Sequence, residues 1–311
     1  MDESIYAVLI ETAAEDVSAL DELMATLDLP PQSVSSYEDL ESATGITYIL
    51  CDTLEEASAA RAHVTPILRQ WEHLLSEPIR KIDETTIKRE DWSESWKKYF
   101  HPFRASNRLV IKPSWEDYTA QPNDIVLEID PGMCFGTGSH GTTMGCLQYI
   151  DELADATNRP YSLIDAGCGT GILSMAAHRL GYGPIFAFDY DPAAIHVSDE
   201  NLTRTGIREQ VQLSEGDVHT IQPPFQADLV VANILAPILL TAAENLAEMV
   251  RPGGRLVLSG ILTSQYDEVL ERFLRLGFQD IERRTIKEWT SGVVMRNEGP
   301  SEHGSYGRPR E

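Results

Sequence analysis

The chain has 311 residues, 42% of them hydrophobic, with 49 Asp and Glu against 25 Lys and Arg for a formal charge of -24. That length accommodates two domains with separate cores, and no apolar run approaches the roughly 20 residues that span a bilayer. So acidic a surface repels nucleic-acid phosphate, because Lys and Arg supply most non-specific affinity for DNA and RNA. It attracts basic proteins instead. The imbalance is greatest at the front, where 14 Asp and Glu precede Arg61, the first basic side chain. A solvation habit, as in a salt-adapted organism, accounts for the same acidity equally well. The start, Met1-Asp-Glu-Ser, lacks the basic and apolar regions of a signal peptide. Cys51, Cys134, Cys146 and Cys168 form no Cys-x-x-Cys pair and no disulfide-framework spacing. A reducing cytoplasm is the expected compartment, and no metal site is expected.

Residues 1 to about 84 are expected to form a small α+β domain. Ile5–Ile10 and Ile46–Cys51 have strand character, and Asp16–Leu27 and Leu54–Trp71 helical character, the latter despite Pro66. Pro78–Ile82 is the candidate closing strand, which suggests a ferredoxin-like β-α-β-β-α-β split. Nothing catalytic stands out there, so a recognition or docking role is expected. Residues 85–140 then read as a linker helix and pre-core strands. Trp92, Trp96 and Tyr99 share one face of a short helix opened by Asp91, and Leu109–Ile111 and Ile125–Ile129 are strand-like.

From 141 to 297 strands and helices alternate, as in a doubly wound, mainly parallel sheet. Ser162–Ile164 is a strand, Leu173–Leu180 a helix, and Pro184–Phe188 a strand ending at Asp189. Val211–Leu213, Leu229–Ala232 and Leu256–Leu258 are further strands. Ile238–Met249 is expected as one helix, Arg251–Gly254 as a turn, and Tyr266–Leu276 as the last helix. Ile281–Trp289 and Val293–Arg296 would close the sheet with a hairpin. Residues 298–311 are polar, with the composition of a disordered tail.

The most informative stretch is Asp165-Ala-Gly-Cys-Gly-Thr-Gly-Ile-Leu-Ser174, a glycine loop between a strand and a helix. Gly167, Gly169 and Gly171 are spaced G-x-G-x-G, whereas the dinucleotide fingerprint G-x-G-x-x-G places its last glycine one position later. Asp189 lies 22 positions after Gly167, where an acid following the second strand accepts ribose hydroxyls. A second glycine- and hydroxyl-rich segment, Asp130–Thr143, suits a loop that wraps a polar ligand. There, Thr142 and Thr143 can cap the next helix or meet a carboxylate. His140 in that loop is a candidate base, but a structural hydrogen-bonding role is the commoner one. Asn233 ends a strand at the carboxyl edge, where such sheets bind ligands; it can orient an amine or cap the next helix.

Taken together, Asp130–Thr143 with its Phe-Gly-Thr-Gly-Ser-His core, Asp165–Ser174, Asp189–Pro192 and Ala232-Asn-Ile-Leu-Ala236 resemble the bacterial ribosomal protein L11 methyltransferases, the PrmA family. Leu258–Leu262 and the Trp92/Trp96 segment also match, and the likeness runs from about Ile79 to Trp289. It implies a Rossmann-like methyltransferase domain behind an N-terminal ferredoxin-like domain. It also implies S-adenosylmethionine (AdoMet) as methyl donor, and lysine or N-terminal amines of ribosomal protein L11 as acceptors. Thr143, Gly167, Gly169, Asp189 and Asn233 would bind AdoMet, with Asn233 beside the reacting methyl. A monomer with no nucleic-acid or membrane partner is expected. Two departures stand out: Gly141 replaces the family's usual Pro, which would loosen the loop, and Thr290-Ser-Gly292 replaces a more polar segment. The open alternatives are the same fold acting on another protein lysine or a small molecule, and a non-catalytic AdoMet- or NAD-binding regulator.

Overall fold

In the computed structural model the chain divides into two compact units, residues 1–101 and 102–311. Described below are residues 4–25, 27, 34–39, 43–88, 101–130, 138, 140–155 and 161–298. The Trp92/Trp96 helix, most of the Asp130–Thr143 loop and the 299–311 tail lie outside them.

The first unit has the order β1 (Ser4–Ala13), α1 (Val17–Ala25), β2 (Val34–Asp39), β3 (Thr44–Cys51), α2 (Leu54–Trp71), β4 (Lys81–Lys88). Its strands lie β2-β3-β1-β4, each pair antiparallel. Val8 and Ile10, two apart on β1, point to the same face, where they pack against Leu20 and Met24 of α1 and Val64 and Leu68 of α2. A capping box fixes the start of α2: the Thr53 hydroxyl accepts the Glu56 N–H, and the Glu56 carboxylate accepts the Thr53 N–H. Buried Asp16 accepts both the N–H and the hydroxyl of Ser76, 2.7 and 2.9 Å away. The closing strand begins at Lys81 rather than Pro78 and extends past residue 84. Pro78 has no N–H to give to a ladder, which moves the pairing downstream.

In the second unit, β5 (Phe103–Arg104), β6 (Leu109–Lys112) and β7 (Ile125–Glu128) make a small sheet. The main sheet contains β8 (Leu163–Ala166), β9 (Ile185–Asp189), β10 (Val211–Glu215), β11 (Ala227–Asn233), β12 (Val250–Leu262), β13 (Phe278–Ile286) and β14 (Trp289–Arg296). Their order is β10-β9-β8-β11-β12-β14-β13. Strands β8 to β12 pair in parallel, while β14 is antiparallel to both β12 and β13. Helices α3 (Gly141–Asp155), α4 (Ile172–Arg179) and α5 (Pro192–Arg204) contribute to the core on one face. The other face is covered by α6 (Ala236–Thr241), α7 (Ala243–Met249) and α8 (Tyr266–Arg275). With both faces covered, β9 and β11 carry continuous apolar runs, Ile185–Phe188 and Leu229–Ala232, not alternating ones.

Three expectations are corrected. The closing hairpin turns at Lys287 and Glu288, so Trp289 opens β14 instead of ending the strand before it. Residues 238–249 form two helices that part at Ala242, not one. The Thr241 hydroxyl bonds back to the carbonyls of Pro237 and Ile238, competing with the helical ladder there. Arg251–Gly254, expected as a turn, lies within β12, because Val250 already pairs with Ala227. The strand β8 lies between β9 and β11, so chain connections leave it toward opposite sides of the sheet. The crevice outside its carboxyl end is where doubly wound sheets bind ligands.

Candidate active site

The glycine loop occupies that crevice and is tied down on nearly every backbone group. The Gly167 and Cys168 N–H groups both donate to the Phe188 carbonyl, at 2.9 and 3.0 Å, and the Gly171 N–H donates to the Cys168 carbonyl at 2.8 Å. Helix α5 holds the carbonyls: the Ser198 hydroxyl donates to Gly169 at 2.8 Å and the Asn201 amide to Thr170 at 2.9 Å. Neither residue was singled out from the sequence; two polar side chains three apart on one helix face were the available signal. Gly167 has φ +75°, and a Cβ there would stand 2.6 Å from Ile234 Cγ2. The loop therefore requires glycine both for its left-handed backbone and for close approach to the segment after β11.

Asp189 ends β9 and is mostly buried. One carboxylate oxygen accepts the Gly169 N–H at 3.0 Å and the other the Asp191 N–H at 3.1 Å. Each oxygen keeps lone-pair capacity for a further hydroxyl. Behind it, Asp165 is fully buried; its Oδ2 accepts the Ser174 N–H and hydroxyl, at 3.1 and 2.7 Å. Its Oδ1 has no partner among the described residues. Burial pushes the Asp165 carboxyl up to about 6, with the charge of Asp189 adding to the shift.

Asn233 and Thr143 meet across the crevice: the Asn233 amide nitrogen donates to the buried Thr143 hydroxyl at 3.4 Å. The Asn233 carbonyl oxygen is buried and has no partner among the described residues. Asn233 does not cap the next helix, whose N-cap is Leu235. Gly260 explains how the segment is seated: at φ +81°, a Cβ on it would stand 2.5 Å from the Ile234 carbonyl. The Ile234 N–H donates to the Ser259 carbonyl, and the Ser259 hydroxyl donates to the Thr142 carbonyl at 3.0 Å. Thus β12 links the end of β11 to the start of α3.

His140 is tied to the helix start. Its Nδ1 lies 2.8 Å from the Thr142 hydroxyl, and its carbonyl accepts the Met144 N–H. Gly141 stands at a close approach: a Cβ there would lie 3.1 Å from the Ile286 carbonyl and 3.3 Å from the Trp289 ring. The Thr290–Gly292 departure serves packing. The Ser291 hydroxyl shares a 2.7 Å hydrogen bond with Ser259, and a Cβ on Gly292 would collide with the Tyr266 hydroxyl. Among the described residues no group of three His, Cys, Asp or Glu side chains is placed to hold a metal ion, and no helix is long and apolar enough to cross a membrane.

A glycine cradle beside an acid after the second strand, facing an amide oxygen that no described residue satisfies after the fourth, fits a nucleoside and an amino-acid tail. With its terminal antiparallel hairpin, this sheet defines a Rossmann-like AdoMet-dependent methyltransferase. The model of the family described as Ribosomal protein L11 methyltransferase (PrmA) matches residues 1–297, and the chain belongs to that family. The ribosomal protein L11 methyltransferase of Chloroflexus aurantiacus is 35% identical over 273 residues, 80% of this chain and 81% of that one. Its counterpart in Geotalea uraniireducens is 44% identical over 214 residues, 66% of this chain and 67% of that one. The crystal structure of ribosomal protein L11 methylase from Lactobacillus delbrueckii subsp. bulgaricus aligns with a TM-score of 0.57 at 30% identity. That alignment covers 64% of this chain and 100% of the other. AdoMet is accordingly the methyl donor.

Proposed function

We propose that this protein transfers methyl groups from AdoMet to lysine and N-terminal amines of ribosomal protein L11. The observation that carries the reading is the buried Asn233 carbonyl oxygen, which has no partner among the described residues and is fixed from behind by Thr143. A buried acceptor without a donor is uncommon and costs about 1–3 kcal/mol. An incoming amine N–H supplies that donor. Thr143, Gly167, Gly169 and Asp189 bind the cofactor: the glycines by close backbone approach, Asp189 through the ribose hydroxyls, Thr143 at the amino-acid end.

When bound, AdoMet supplies an electrophilic methyl on a sulfonium sulfur. The acceptor enters as an ammonium, loses a proton to water, and presents its lone pair. Asn233 accepts one remaining N–H and so turns that lone pair toward the methyl. In the transfer a C–N bond would form as the C–S bond of the bound donor breaks, S-adenosylhomocysteine would be the leaving group, and the new ammonium could shed a proton for another round. Alignment of this kind is worth several kcal/mol in a displacement, so no dedicated base is required.

The first unit is proposed as a ferredoxin-like recognition domain for the protein substrate, supported by its element order and acidic sequence. The enzyme is taken to act as a cytoplasmic monomer without nucleic-acid or membrane partners. Intact-mass analysis of L11 after incubation with enzyme and AdoMet tests the reading. Added methyl masses on lysine or the N-terminus are expected, and unmodified L11 beside a methylated small molecule or another protein would replace it.

A further inference from the structure

The hairpin between β13 and β14 presents, besides the Asp165 and Asn233 oxygens, another side-chain group without a partner among the described residues. Trp289 is 6% exposed, yet its indole N–H has no partner among the described residues. Its ring lies 5.0 Å from the His140 ring, centre to centre, and packs on Gly141. These residues form the first turn of α3, which also supplies Thr143 to Asn233. Trp289 and Ser291 are two apart on β14 and share the α3 face, since Gly145 of that helix abuts Ser291.

Register places the indole at the same edge as Asn233. Asn233 pairs with Ser259 on β12, and Trp289 pairs with Leu262, three residues farther toward the carboxyl end. Two strand spacings, about 10 Å, separate β11 from β14, a gap that a long side chain and a ligand bridge together. The hairpin tip is anchored: both the N–H and the hydroxyl of Thr263 donate to the Glu288 carbonyl at 2.9 Å. The Thr290 hydroxyl joins those of Thr263 and Thr285, each at 2.9 Å. Trp289 is thus a fixed donor rather than a swinging one.

We propose that Trp289 is a further ligand-binding residue of this site, its indole N–H donating to an oxygen brought in by the reactants. Two sources carry that chemistry: the carboxylate of the AdoMet methionine moiety, and a backbone carbonyl of the acceptor polypeptide. The inference rests on the methyltransferase reading for what enters the crevice, but not on L11 as the acceptor. It accounts for a buried donor that no described residue satisfies, a desolvation that otherwise costs stability.

The test is Trp289→Phe, which keeps an aromatic ring against Gly141 and removes the N–H. The expected result is an unchanged or slightly raised melting temperature together with about a 5- to 30-fold loss in one binding constant, the span of a hydrogen bond worth about 1–2 kcal/mol. A weaker AdoMet Kd assigns the oxygen to the cofactor carboxylate; a raised KM for the protein acceptor at unchanged AdoMet Kd assigns it to the polypeptide. Neither constant moving overturns the proposal. An independent readout needs no variant of Trp289: the indole ¹⁵N–¹H resonances, with the other tryptophans assigned by their own Phe substitutions. The Trp289 signal is expected to move downfield when S-adenosylhomocysteine or the acceptor is added, and a signal indifferent to both contradicts the assignment. If the wild-type enzyme binds AdoMet but leaves L11 unmodified, the L11 reading fails, while the cofactor titration still decides Trp289.

Discussion

Asp189 and Gly169 are joined directly: the Asp189 carboxylate accepts the Gly169 N–H at 3.0 Å. The acid expected to hold a ribose therefore also holds the loop that cradles the same nucleoside. One substitution acts on both. Asp189→Ala is expected to weaken AdoMet by about 1–3 kcal/mol in calorimetry and to lower the melting temperature without ligand. Weakened binding with an unchanged melting point would restrict Asp189 to the ligand; unchanged binding would remove the ribose role.

The loop glycines can be tested against each other. Gly167 and Gly181 have φ of +75° and +90°, but a Cβ on Gly167 meets Ile234 at 2.6 Å while one on Gly181 meets nothing within 4 Å. Gly181→Ala should cost only the left-handed strain, about 1–2 kcal/mol. Gly167→Ala should cost more and, unlike Gly181→Ala, should impair AdoMet binding. Equal losses in both variants by chemical denaturation would mean that close approach to Ile234 is unimportant.

Asp165 predicts a pH dependence with a definite sign. Its carboxyl is pushed up to about 6, above the ordinary value of 3.8, so the folded protein holds that proton more tightly than the unfolded chain. Its contribution to stability is full below the ordinary value and is lost as pH rises through about 6. Asp165→Asn removes the titration whatever constant offset it adds. Between pH 4.5 and 7.5 the stability of wild type relative to this variant should fall by about 2 kcal/mol. A difference independent of pH would show that the carboxyl titrates normally.

Ionic strength separates the two accounts of the chain's acidity. If the net charge of -24 draws in a basic protein, added salt should raise KM for L11 while leaving AdoMet affinity nearly constant. An acidity that serves only solvation predicts a KM that is flat or falls with salt.

Much of the second unit was legible because its strands are buried on both faces. Leu229-Val-Val-Ala and Ile185-Phe-Ala-Phe are runs that hardly any other element produces. The cradle was legible because G-x-G-x-G, a following helix and Asp189 report one local βαβ unit. Contacts set by tertiary neighbours were not. Helix α5 lacks a long apolar stripe and was not read from the sequence; in the structure Asp191 caps it by accepting the Ala193 N–H, with Pro192 as its first residue. That Ser198 and Asn201 of this helix reach the loop carbonyls depends on how it packs. The choice between capping and substrate roles for Asn233 likewise rested on Leu235 taking the cap position, which composition does not reveal. That Gly141 packs closely against Ile286 and Trp289, far away in sequence, was likewise hidden.

The Asn233 oxygen carries the central claim, and Asn233→Ala tests it most directly. Wild type and variant should be compared at saturating AdoMet, following methyl transfer to L11 by intact mass, with AdoMet Kd and melting temperature taken on the same samples. The expected outcome is turnover at least about 100-fold lower, the scale of lost alignment, in a protein that remains folded. Turnover near that of wild type would contradict the account, because the Asn233 oxygen beside Thr143 would then have no part in presenting the amine.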